Sequence, residues 1–375
     1  MIPPTTVHSP LHVVEVDPLR DERWEAFVAS HPAGLIYHHP AWLETLGREY
    51  AGRSVSLACQ DGEGELRGIL PLYYTRGLPF GGPLTGRRLS SLPRTPVAGP
   101  LARDPAAASA LVHAAVGRVH DEPGACLQLK AQGTELDGLV DGLVRARWRM
   151  SYLVELPDDP EALRFGKSRN HAAIKRAIQK ATRSGVRVRP AESEDELLAW
   201  YRLYLETMRR HAVPPRPYRF FEALWDIVQP RGYMRLLLAE RREGGRDVLL
   251  AGSMMLMFGE TVFFAFNGSR LDTLHLRPND AIHWRAIHDA CSEGFRRYDL
   301  GEVPTTNDSL AQSKRKWASR CVQLYRYYYP TLHTSLNGAG DRGVNGYAGR
   351  LASTAWQQLP LKVTARFGDW LYRYL

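Results

Sequence analysis

The chain has 375 residues, 49 Lys or Arg against 40 Asp or Glu for a net charge of +9, and a hydrophobic fraction of 44%. At roughly 150 residues per domain this predicts two globular domains rather than a disordered chain, and the basic surplus predicts a polyanionic partner. Four scattered cysteines without a CxxC pair exclude a disulfide scaffold and a zinc knuckle, and the longest apolar run, Val248–Phe258, is short of the roughly 18 residues of a membrane span.

Tyr37-His38-His39-Pro40-Ala41-Trp42 opens an amphipathic helix reaching Tyr50, and the two histidines ahead of Pro40 read as structural or as a local substrate contact. Ser54–Tyr74 reads as a hairpin: a strand to Ala58, an Asp61-Gly62-Glu63-Gly64 turn, and a return through Gly68–Tyr74. A connection dense in Gly and Pro spans Thr75–Pro105, followed by a helix over Ala106–His120 and a strand over Ala125–Lys130. Leu156-Pro157-Asp158-Asp159-Pro160 then punctuates the chain. Beyond it Met234–Phe258 repeats the hairpin, with a strand over Arg235–Ala239, a Glu243-Gly244-Gly245 turn and Gly252 at the place of Gly68. An aromatic helix, Tyr218–Val228, precedes this copy too, and Asp280–Glu293 and Arg297–Leu300 repeat the later helix and strand.

One plan used twice about 180 residues apart predicts an α/β protein of two tandem units, 1–156 and 157–330. Residues 331–349 read as a flexible linker. Leu359-Pro360 opens a tail helix with Val363, Phe367, Trp370, Leu371 and Tyr374 on one face. That face either docks on the body or lies on anionic lipid through 359–375; the scattered cysteines place the chain in a reducing cytoplasm, at most peripheral on the inner membrane face.

From Leu163 to Ala191 there are nine Arg or Lys and no acid. Ser168 is placed to cap a helix that Gly185 ends, with Ile174, Ile178 and Ala181 as its buried stripe. Arg169, Arg176, Lys180 and Arg183 fall on another face as a cationic ladder suited to phosphate oxygens. Salt-bridged surface helices alternate sign; this one does not. A second basic cluster, Lys314-Arg315-Lys316 with Arg320, precedes a strand whose alternation sends Tyr325, Tyr327 and Tyr329 to one side and Leu324, Arg326 and Tyr328 to the other. No GxSxG elbow, GxGxxG or Walker A sequence occurs, and His283 and His288 fall on different helix faces, so no metal site is predicted.

The order Asn267-Gly268-Ser269, Pro278-Asn279-Asp280, Trp284, Gly294, Tyr298-Asp299-Leu300-Gly301, then Ser313-Lys314-Arg315-Lys316-Trp317 closely resembles the Fem family of peptidoglycan-bridge aminoacyl transferases and its FemAB-related, BioF2-like relatives. The resemblance spans most of the chain. It implies two tandem GNAT-like domains with a cleft at their junction, in which an amine attacks an activated acyl ester or thioester. It also implies a charged tRNA as donor and a pyrophosphate-linked peptidoglycan-precursor-like amine as acceptor, with no tightly bound cofactor. Lys314 matches the lysine of the family's Phe-Lys pair, although Ser313 replaces the Phe, and the resemblance implies that it stabilises the oxyanion of the tetrahedral intermediate.

Arg169, Arg176, Lys180 and Arg183 are assigned to donor or acceptor phosphates, and Asn267, Arg277 and Asp299 to the cleft. An acyl-CoA-dependent N-acyltransferase acting on a polysaccharide or natural-product amine is the alternative. Leu276-Arg277-Pro278-Asn279-Asp280-Ala281 lacks the glycines that bring backbone N–H groups up to a diphosphate, which argues against it. A non-catalytic scaffold that binds lipid or RNA is the third reading.

Overall fold

The computed structural model describes residues 10–50, 52–75, 87–122, 124–330 and 347–372. The strands are β1 (His12–Glu15), β2 (Arg53–Gln60), β3 (Leu66–Thr75), β4 (Arg88–Ser90), β5 (Leu101–Ala102), β6 (Cys126–Ala131), β7 (Val144–Glu155), β8 (Val186–Pro190), β9 (Met234–Glu243), β10 (Arg246–Phe258), β11 (Thr261–Ser269), β12 (Arg297–Val303) and β13 (Arg320–Tyr329). The helices are α1 (Glu22–Ser30), α2 (Pro40–Glu49), α3 (Pro105–His120), α4 (Ser168–Arg183), α5 (Glu194–Arg210), α6 (Tyr218–Ala223, continued by a π turn to Val228), α7 (Pro278–Ser292), α8 (Asp308–Trp317), α9 (Tyr347–Gln358) and α10 (Leu361–Leu371).

Both hairpins form as the turn chemistry requires: β2 pairs with β3 and β9 with β10, each antiparallel. All strands join one sheet in the order β1-β2-β3-β4-β6-β13-β7-β12-β11-β10-β9-β8, with β5 on β3. The two halves exchange strands at its centre. β7, from the first half, pairs with β12, while β13, from the end of the second, lies between β6 and β7. The tyrosines of β13 explain its place: Tyr327 is fully buried in the first-half core and Tyr325 and Tyr329 pack against it, while Leu324, Arg326 and Tyr328 lie on the other face as the alternation predicts.

One core joins the halves, gathering Trp42 and Tyr50 with Trp200, Phe220 and Phe221. Gly268 makes part of it possible, because a Cβ there would lie 2.5 Å from the backbone N of Tyr204 on α5. Across the same junction Arg216 Nη1 donates to Glu49 Oε2 at 2.8 Å, and the two side chains are 4% and 0% exposed. Arg216 Nη2 also donates to the Arg94 carbonyl, and its guanidinium lies 4.1 Å from the Phe220 ring. Burial pushes the Glu49 carboxyl upward and Arg216 pulls it back.

Three expectations change. Lys167, not Ser168, holds the cap position of α4, without a side-chain bond; Gly185, with φ +76°, ends the helix as expected. The linker reading falls on 331–346, outside the described residues, and 347–349 already belong to α9. The tail docks, but through Leu361, Thr364, Ala365, Gly368 and Leu371; Val363 and Phe367 face away from the body, and Tyr374 lies outside the described residues.

Candidate functional site

Each half contains a parallel strand pair, which gives the sheet its two wedges. In the first half β4 and β6 pair from Arg88↔Cys126 to Ser90↔Gln128, and the wedge beyond is filled by the chain itself. Ser91 N bonds the Gln128 carbonyl, Lys130 N donates to Ser91 Oγ, Ala98 N bonds the Lys130 carbonyl, and Lys130 Nζ donates to the Leu92 carbonyl. Leu92 and Arg94 adopt left-handed backbone to make this turn.

The second wedge is open. β11 and β12 pair over Thr261↔Arg297, Val262↔Tyr298 and Phe263↔Asp299, and there the pairing stops. Beyond that point β11 carries one extra residue, Ala265, relative to β10, and β12 bulges against β7 around Leu300 and Gly301. Such bulges re-aim strands beside active sites. Phe264, Ala265, Phe266 and Asn267 on one wall, and Asp299, Gly301 and Glu302 on the other, all keep partial exposure although they lie in central strands.

Lys314 reaches into this gap. Asn307 caps α8 by accepting from Leu310 N, and buried Ala311 and Trp317 fix the helix against the body. Lys314 Nζ donates to the carbonyls of Gly301 at 3.1 Å and Glu302 at 3.3 Å. Gly301 has φ +84°, and a Cβ there would stand 3.4 Å from that Nζ and 3.6 Å from the Phe264 carbonyl. Glycine therefore leaves room for the ammonium between the strands. Burial lowers the Lys314 amine to about 8, with Asp299 and Glu302 opposing the shift.

The surroundings are polar and held in place. Asp299 Oδ1 accepts from Ser151 Oγ and from Gly301 N, both at 2.7 Å, while burial raises its carboxyl. Glu302 accepts from Arg149 at 2.9 Å and from the Trp148 indole at 3.1 Å, with Arg326 at 3.7 Å. The His283 ring lies 4.4 Å from that of Phe264, and burial, then Lys314, lowers its imidazole to about 3, so it is neutral. Tyr37 crosses from the first half, its ring 5.1 Å from that of Phe263; burial, then the charge of Asp299, keeps its hydroxyl protonated.

Of the residues expected in the cleft, the structure brings Lys314 and Asp299 together. Asn267 lies further along β11, its Oδ1 accepting from Ser253 Oγ at 2.9 Å. Arg277 is exposed and caps α7 with φ +65°, beside an Asp280 whose carboxyl burial raises. Arg169, Arg176, Lys180 and Arg183 are all exposed on α4, which packs on α7 and α8, so the ladder lies outside the wedge. None of the four pairs with an acid among the described residues.

Tyr37, Ser151, His283 and Glu302 were missed as site residues. The only signal near Tyr37 is the adjacent His-His-Pro turn. Those histidines are structural: His39 Nδ1 accepts from Ala41 N to cap α2 and Nε2 sits 3.3 Å from Glu25, while His38 bonds Leu35 N and the Gly99 carbonyl.

Residues 168–307 match the acetyltransferase (GNAT) domain family. Over 175 residues the chain is 28% identical to the UDP-N-acetylmuramoylpentapeptide-lysine N(6)-alanyltransferase of Weissella viridescens, covering 46% of this chain and 49% of that enzyme. The chain thus spans about half the length of the curated relative it matches. The crystal structure of FemX superposes with a TM-score of 0.66 at 16% identity, covering 88% of this chain and all of that one. The structure of L-PGS from Bacillus licheniformis superposes with a TM-score of 0.54 at 15% identity, covering 89% and 98%. The Fem-like resemblance and the α/β, GNAT-like fold read from the sequence are borne out.

Proposed function

We propose that the chain is a Fem-like aminoacyl transferase that forms an amide between an aminoacyl group carried on tRNA and an amine acceptor of the peptidoglycan-precursor class. The observation that carries this reading is Lys314 Nζ held in the open wedge between β11 and β12. The acceptor nitrogen attacks the ester carbonyl, the C–N bond forms, the C–O bond to the ribose breaks, and the proton leaving nitrogen ends on the ribose oxygen. Charge develops on the carbonyl oxygen, and a fixed ammonium in a partly dry cleft stabilises it there. The rest of the rate comes from holding the two substrates in reacting geometry. No covalent intermediate on the chain is required.

The match to the acetyltransferase domain family favours a second reading, transfer from an acyl-CoA to an amine. The start of α7 speaks against it. A coenzyme A diphosphate placed there would lie beside the Asp280 carboxyl with no glycine-lined turn to bring backbone N–H groups close, and only the exposed Arg277 side chain would favour it.

Binding of charged tRNA, a nucleotide-linked peptidoglycan precursor and coenzyme A esters, measured for the wild type and for Lys180→Glu/Arg183→Glu, separates these readings. Charged tRNA or the precursor is expected to bind, and the variant to weaken that binding at least tenfold with a shallower salt dependence. Selective binding of a coenzyme A ester, unaffected by the variant, would move the protein to the second reading.

A further inference from the structure

α10 is apolar on two opposite faces. One is docked: Thr364, Gly368 and Leu371 are buried, Leu361 and Ala365 pack on the shared core, and a Cβ on Gly368 would lie 2.4 Å from the Pro215 carbonyl. The other points outward. Val363 is 45% and Phe367 42% exposed, with the Phe367 ring 5.2 Å from that of Trp356 on α9 and 5.6 Å from that of Trp370. Val213, 41% exposed, lies in the turn that leads to Pro215. Lys362 and Arg366 flank the outward stripe, both exposed and neither paired with an acid among the described residues, whereas Asp369 is taken by Arg219.

We infer that the outward stripe of α10, with Trp356 of α9 beside it, is a docking surface for an anionic lipid bilayer. An exposed Val and Phe flanked by half-buried Trp rings on a helix already fixed to a folded body, edged by Lys and Arg, match the boundary between acyl chains and anionic headgroups. The occupant is a lipid surface rather than a second copy of the chain. A two-fold contact through this stripe would bring Lys362 and Arg366 of each copy toward their counterparts, with no unpaired acid on the stripe to receive them. Anionic headgroups receive both.

Flotation of the full chain with vesicles of phosphatidylglycerol and phosphatidylcholine, against phosphatidylcholine alone, tests this without donor or acceptor, so its result is separate from that of the transfer reading. Binding to the anionic vesicles alone is expected, falling at least tenfold in Val363→Asp/Phe367→Asp and in high salt. Lys362→Glu/Arg366→Glu, which leaves every apolar contact in place, is expected to lose binding too, and supplies the measurement should the first variant fail to fold. Equal binding by wild type and the charge variant, or a dimer that Val363→Asp/Phe367→Asp dissociates, would overturn the inference.

Discussion

Replacing Lys314 by Ala is expected to lower kcat for amide formation about 10²- to 10³-fold, the usual loss when one donor to a developing oxyanion is removed, with acceptor affinity changed less than about threefold. The asymmetry follows from position. Nζ is anchored by two β12 carbonyls inside the gap, and in the proposed reaction it would meet charge that develops only in the transition state. Single-turnover rates and equilibrium acceptor binding measured on the same preparation check it. A variant that turns over at the wild-type rate would remove Lys314 from the chemistry.

Arg216→Met is expected to destabilise the fold by about 3–5 kcal/mol, because it strands the Glu49 carboxyl in a dry junction. Glu49 is fully buried, and Arg216, its partner at 2.8 Å, acts on its charge more strongly than Arg94 or Arg219. The paired variant Glu49→Leu/Arg216→Met is expected to recover most of that loss, since neither charge is then buried. Urea unfolding midpoints of the three proteins decide the matter. A single variant within about 1 kcal/mol of wild type would show that the pair does not hold the halves together.

The hairpins were legible because Asp-Gly and Gly-Gly turns sit between runs of strand periodicity, as at Asp61–Gly64 and Gly244-Gly245. The central exchange of β7 and β13 was not. Its partners are far apart in sequence, and pairing at that distance leaves no local pattern beyond the alternation of Tyr325, Tyr327 and Tyr329. The ladder on α4 followed from helical spacing alone. Lys314 stood out only through family resemblance, since by composition its helix is one more basic surface segment. Tyr37, His283 and Glu302 come from three separate segments that share no motif, and only the folded wedge brings them together. The tail's docked face was only partly legible: periodicity selects large side chains such as Val363 and Phe367, which point outward, whereas close docking against Pro215 selects Gly368.

In the proposed reaction Lys314 acts as an ammonium inside the wedge, where burial lowers its amine to about 8. The direct measurement is the pH dependence of the single-turnover rate for wild type and Lys314→Arg. Their ratio cancels the titration of the attacking amine, which both proteins share. Arg stays charged throughout, so the ratio of wild type to variant is predicted to be flat below about pH 8 and to fall above it as Lys314 loses its proton. A ratio that rises through that range would mean that the neutral amine is the working form, with Lys314 removing a proton instead of holding an oxyanion.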